Sequence, residues 1–128
     1  MRYLLDTQLA LWILLDSPDL KPAVRMLLET PGDQFAFSVS SIWEIAMKRA
    51  LNRSDFLHDP RVIRRNLMDD GYQELPILGH HVVEVDSLPP IHKDPFDRIL
   101  IAQAMVEGIM LLTADPVIAK YPGPIRKV

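Results

Sequence analysis

Four carboxylates stand where the apolar runs of the chain give way to helical patterns. Asp6 closes the run Leu4-Leu5-Asp6-Thr7, and Glu44 follows a second apolar stretch in Ser40-Ser41-Ile42-Trp43-Glu44. Asp97 lies in the turn opened by Asp94-Pro95, and Asp115 follows Met110-Leu111-Leu112 through Thr113-Ala114. In a parallel sheet such positions fall together at the carboxyl edge of the strands, where function gathers. Carboxylates crowded into a low dielectric repel one another, and protonation or a bound divalent cation is the usual remedy. The chain has no cysteine, and an all-oxygen donor set favours Mg2+ or Mn2+ over Zn2+. The chemistry such a site supports is phosphodiester hydrolysis. One ion lowers the pKa of a water, a second stabilises the leaving oxygen, and no protein nucleophile is required. One ion or two would serve. Thr7 and Thr113 stand beside these acids and can position a carboxylate or a water, or act only as local capping hydroxyls.

Each acid also has a structural reading. Asp115 before Pro116 is a helix cap of the same kind as Asp59 before Pro60, where no chemistry is expected. Glu44 stands three residues after Ser41, as in a capping box, and four before Lys48, as in a surface ion pair. Asp97 is an ordinary first-turn acid complementing a helix dipole, and Asp94 is the cap of that helix. Asp6 resists this treatment most, because a carboxylate at the end of an apolar strand is costly unless capped, paired or metal-bound. Caps alone do not require all four to face one pocket.

The elements that must position these residues follow from the apolar pattern. Strands are expected at residues 2–5, 34–38, 73–77 and 109–112, with an edge strand at 125–128. Helices are expected at residues 7–15, 22–29, 62–68 and 95–107, and one capped by Ser40 or Ser41 reaches to about residue 51. Residues 80–85 read as a weak helix or turn, Gly108 ends the long apolar helix, and a short helix starts at Pro116. Of the eleven prolines, Pro18, Pro31, Pro60, Pro76, Pro95 and Pro116 fall singly between these segments as punctuation. Strands alternating with helices give an α/β fold, a single domain over residues 1–128 with helices on both faces of a mainly parallel sheet of about four to five strands. At 128 residues the chain can bury a core without disulfides or a structural metal. The apolar run at residues 9–15 is too short to span a membrane, so a soluble, cytoplasmic protein is expected.

The segment His92-Lys93-Asp94-Pro95-Phe96-Asp97-Arg98-Ile99-Leu100-Ile101-Ala102-Gln103-Ala104 resembles the signature helix of PIN-domain proteins, and in particular of VapC-type toxins of bacterial type II toxin–antitoxin systems. Leu4-Leu5-Asp6-Thr7 with Trp12, the run from Ser38 to Lys48, Leu75-Pro76-Ile77 with His81, and Leu111 to Asp115 extend the resemblance over nearly the whole chain. The resemblance implies a three-layer α/β/α PIN-like domain and a Mg2+- or Mn2+-dependent endoribonuclease. It places Asp6, Glu44, Asp97 and Asp115 on the family's acidic quartet as metal-binding and catalytic residues. It also implies an RNA substrate, a VapB-type antitoxin and a homodimer. Many relatives carry a Gly-Lys-Leu turn where this chain has Leu51-Asn52-Arg53-Ser54-Asp55-Phe56, a difference that touches the substrate groove and not the metal site.

A formal net charge of -3 excludes binding nucleic acid through sheer positive charge. The charge is unevenly spread. Residues 48–65 hold Lys48, Arg49, Arg53, Arg61, Arg64 and Arg65 against Asp55 and Asp59, a basic segment that could track a phosphate backbone or be a solvated helical face. Lys93 and Arg98 are further cations beside the acids. His80-His81 lacks zincin spacing, and His81 is expected to pack or fix a loop. None of the five glycines forms a phosphate loop, and Ser38 to Ser41 lack the glycines of a nucleophile elbow. A receiver-like phosphorylation domain would need adjacent acids after the first strand, where Thr7 and Gln8 stand instead. Two other readings remain beside the toxin: a non-catalytic PIN-like binding module, which would have lost part of the acidic set, and an RNA-processing nuclease without an antitoxin.

Overall fold

The computed structural model describes residues 1–51 and 58–128. Five parallel strands form one sheet: β1 (Arg2–Leu5), β2 (Gln34–Ser38), β3 (Gln73–Leu75), β4 (Met110–Thr113) and β5 (Ile125–Lys127), in the order β3-β2-β1-β4-β5. The helices are α1 (Thr7–Leu14), α2 (Pro22–Leu28), α3 (Val39–Ala50), α4 (Pro60–Asp69), α5 (Gly79–Glu84) and α6 (Pro95–Glu107), with short 3-10 turns at Val85–Ser87 and Ile118–Lys120.

The alternation of side chains along β1 divides the core in two. Tyr3 and Leu5 point to the face covered by α1, α2, α3 and α4, through Leu9, Leu11, Val24, Ile45, Ile63 and Leu67. Leu4 points to the opposite face, against Leu100, Ile101 and Ala104 of α6, with Ile118 and Tyr121. Because both faces are covered, the central strands are apolar throughout: Leu4, Leu5, Leu111 and Leu112 are fully buried. This is the expected three-layer α/β/α arrangement.

Several boundaries differ from those expected. Helix α3 is capped by Ser38, not by Ser40 or Ser41: the Ser38 hydroxyl accepts the Ser40 N–H at 3.0 Å. Strand β2 therefore runs into α3 without a loop residue, Ser40 and Ser41 are buried inside the first turn, and Glu44 is not the acid of a capping box. Helix α4 starts two residues early because Asp59 caps it with Pro60 at its first position. Strand β3 stops at Leu75, immediately before Pro76, and only a 3-10 turn follows Pro116. Gly108 ends α6 in the left-handed region, at φ 65.

Candidate functional site

The strand order reverses between β1 and β4, since β2 and β3 lie to one side of β1 and β4 and β5 to the other. That switch point leaves a crevice beyond the carboxyl ends of the two strands. A cavity of about 420 Å3 opens there, and its lining includes all four predicted acids, Asp6, Glu44, Asp97 and Asp115, together with Asp94. Thr7, Lys48, His92, Trp12 and Gln8 complete most of the wall.

Asp6 is held from both sides. Its Oδ1 accepts the Leu9 N–H at 2.7 Å, capping α1, and its Oδ2 accepts the hydroxyl of Thr113 on β4. Thr113 also accepts the Asp115 N–H at 3.0 Å, so one hydroxyl aligns two of the acids. Asp115 Oδ1 in turn accepts the Val117 N–H at 2.8 Å, which makes Asp115 a cap and a pocket residue at once. Thr7 is not a local cap: its hydroxyl donates to Ser41 at 2.8 Å, tying the start of α1 to α3 one turn before Glu44. Glu44 Oε2 meets Lys48 Nζ at 2.8 Å, while Oε1 is buried and has no partner among the described residues.

Asp97 comes from the first turn of α6, whose cap Asp94 accepts the Phe96 N–H at 2.8 Å. His92 Nε2 lies 2.9 Å from Asp97 Oδ2. The ligand atoms of His92, Asp94 and Asp97 fall within 4.8 Å of one another, whereas no three of the quartet do so among the described residues. The quartet surrounds the cavity and does not collapse into it.

The electrostatics match the geometry. Burial pushes the Asp6 carboxyl up to about 6 despite its two hydrogen bonds, and the charges of Asp115 and Glu44 add to the shift. Burial likewise raises Asp97 to about 7, with Asp94 and Glu44 adding and His92 opposing. Glu44 thus acts on both acids. Raised carboxyls around an orphaned, buried carboxylate oxygen are what a divalent cation would relieve, and the oxygen donors fit Mg2+ or Mn2+. A second His–Glu group at His80, His81 and Glu107 does not fit a cation equally well. The Leu78 N–H donates to His81 Nδ1, so Nε2 carries the proton and donates to Glu107 at 3.1 Å.

The predicted cations are not gathered at the acids. Among the described residues of the basic segment, only Lys48 lines the cavity. Arg61, Arg64 and Arg65 line a separate shallow groove over Ile42 and Ala46 of α3. Arg64 pairs with Glu74, while Arg61 and Arg49 pair with Asp59. Lys93 lies beside Trp43, Ile77 and Val82, and Arg53 falls outside the described residues. Arg98 is not a free cation for a phosphate. Its guanidinium donates to the carbonyls of Val85, Leu88, Pro89 and His92 and to the Tyr121 hydroxyl. His92, which sequence reasoning did not place in the site, carried one signal: it stands five residues before Asp97 in the loop that delivers the helix.

The sequence model of one family, described as PIN domain, matches residues 3–124. Among solved structures, VapBC2 from Rickettsia felis bound to a promoter DNA fragment superposes with a TM-score of 0.73 at 13% identity, over 100% of this chain and 99% of that one. VapBC-1 from nontypeable Haemophilus influenzae gives 0.63 at 17% identity, over 99% and 98%. A toxin–antitoxin complex from Klebsiella pneumoniae gives 0.61 at 19% identity, over 98% and 96%. In sequence alone, no curated protein matches the chain.

Proposed function

The chain belongs to the PIN-domain family, and from that premise we propose that it is a VapC-type toxin, an endoribonuclease that hydrolyses RNA phosphodiester bonds with Mg2+ or Mn2+. The observation that carries this reading is the cavity at the β1/β4 switch point, which four carboxylates line together and where one of them, Glu44, keeps a buried oxygen with no partner among the described residues. Asp6, Glu44, Asp97 and Asp115 would hold one or two ions. Such ions supply Lewis acidity, lowering the pKa of water and offsetting the charge of a phosphate.

The residues of the chain have definable parts in that reaction. Thr113 orients Asp6 and the backbone of Asp115, so that both carboxylates enter the cavity from the strand ends. Thr7 and Ser41 fix α3 to α1, which sets the depth of Glu44. His92 holds one oxygen of Asp97 and leaves the other for a ligand. Lys48 brings a positive charge to the same wall and suits a phosphate entering the cavity.

The likeness to VapBC structures supports an antitoxin of the VapB type as the partner. Exposed Trp43 and Val82 border an apolar recess of about 350 Å3, which supports a protein contact, here assigned to a second copy of the chain. No described helix is long and apolar enough to cross a membrane.

The test is incubation of the purified protein with structured RNAs in Mg2+, Mn2+ or chelator, beside Asp6→Asn and Asp97→Asn. Cleavage by the wild type alone, abolished by chelator, is expected. Equal cleavage by all three proteins, or cleavage indifferent to chelator, would falsify the metal-nuclease assignment.

A further inference from the structure

Residues 88–94 carry His92 and Asp94 into the cavity, yet they contain no helix or strand and two consecutive prolines, Pro89 and Pro90. Such a segment has little backbone bonding of its own: among the described hydrogen bonds its internal backbone contact is Ile91 N–H to Pro89 C=O, at 2.9 Å. Its order comes from two side chains. Arg98 Nη1 donates to Pro89 O at 3.0 Å, to His92 O at 3.4 Å and to the Tyr121 hydroxyl at 3.1 Å. Nη2 donates to Val85 O at 3.2 Å and Leu88 O at 3.5 Å. The Tyr121 hydroxyl also accepts the His92 N–H at 2.7 Å and donates to the His92 carbonyl at 3.2 Å. Both backbone groups of His92 therefore end on one phenol, which is itself braced by the guanidinium.

We propose that Arg98 and Tyr121 are positioning residues, a clamp on residues 85–92 that fixes His92 against Asp97 and thereby sets the affinity of the acid cavity for a divalent cation. The inference rests on the metal-site reading above. Tyr121 is buried in the core cluster with Leu100 and Ile101, so its ring is held by packing while its hydroxyl bonds the segment. A guanidinium fork matches several carbonyls at fixed angles, and a lysine ammonium in its place keeps the charge without that geometry. The clamp acts on the site through His92, whose ring nitrogen shares Asp97 with any ligand in the cavity.

The experiment is calorimetric titration of Mn2+ into the full, RNA-free chain, for the wild type, Tyr121→Phe and Arg98→Lys. Hydrogen exchange at the His92 amide and melting temperature are measured on the same samples. Both variants are expected to bind Mn2+ roughly tenfold more weakly, the scale at which partners of metal ligands act. Melting is expected to stay within about 4 °C of the wild type, and the His92 amide of Tyr121→Phe is expected to exchange faster. Unchanged Mn2+ affinity in both variants overturns the clamp while leaving the metal site standing. Weakened binding accompanied by a larger fall in melting temperature assigns the pair to stability alone and also overturns it. A wild type that takes up no Mn2+ overturns the metal reading, and the clamp with it.

Discussion

Asp6 concentrates the tension of the site in one side chain. It caps α1, receives the Thr113 hydroxyl and still has its carboxyl raised to about 6, because burial outweighs both hydrogen bonds. A carboxyl raised on folding holds a proton that the unfolded chain has already lost, so between the two pKa values stability falls as pH rises. Asp97, raised to about 7, acts in the same direction. The metal-free protein is therefore expected to melt at a higher temperature at pH 5 than at pH 8. For Asp6 the part of that effect falling between pH 5 and pH 8 amounts to roughly 1 to 2 kcal/mol, the rest being lost below pH 5. Asp6→Asn removes its share of the pH dependence, and Mn2+ should raise the melting temperature of the wild type more at pH 8 than at pH 5. Scanning calorimetry at the two pH values checks both statements. That Asp6, Asp97 and Asp115 share one cavity was legible from their places at element boundaries, and that Glu44 joins them from its place in the early turns of the helix after β2. His92 was not, because its partner is set by a loop without periodicity and by the distant Tyr121.

Helix α3 shows how an element delivers a residue. Ser38 caps it, and the same hydroxyl donates to Gln103 Oε1 on α6 at 2.6 Å, while Gln103 Nε2 donates to the Pro76 carbonyl at 3.2 Å. This buried chain joins the ends of β2 and β3 to α6, and it fixes the start of the helix that carries Glu44. Gln103→Leu strips a partner from both Ser38 and Pro76 and is expected to cost about 2 kcal/mol, measured by urea unfolding. Gly108→Ala tests a different point. Nothing lies within 4 Å of an added Cβ there, so the expected cost of about 1 kcal/mol is backbone strain at positive φ alone. Most elements could be read from apolar runs bounded by Gly, Pro or Asp. The start of α3 could not, because Ser38, Ser40 and Ser41 are all competent caps and no turn separates the helix from β2. Which serine caps is decided by Gln103, 65 residues away in sequence.

At the scale of the whole molecule, the net charge of -3 conceals an acid cavity and a basic groove on different surfaces. The sequence showed the basic residues as one block. Folding spreads them, so that Lys48 meets the cavity while Arg61, Arg64 and Arg65 face outward along α4. An RNA leaving the cavity across α3 would reach that groove. Reversing the three arginines to glutamate is expected to weaken RNA binding and flatten its dependence on salt, as read by titration at several ionic strengths; unchanged binding places the RNA elsewhere. Self-association is a separate matter. Trp43 is 56% exposed beside the apolar recess, and the proposed contact with a second copy predicts by light scattering a dimeric wild type and a monomeric Trp43→Glu.

The proposed activity requires the acid cavity to be a divalent-metal centre. Anomalous scattering from crystals grown with Mn2+ at pH 8 tests this most directly. A Mn2+ peak inside the cavity, on carboxylate oxygens of the quartet, and its loss in Asp97→Asn are expected. A cavity without a peak at saturating Mn2+, or a peak confined to His80, His81 and Glu107, would contradict it.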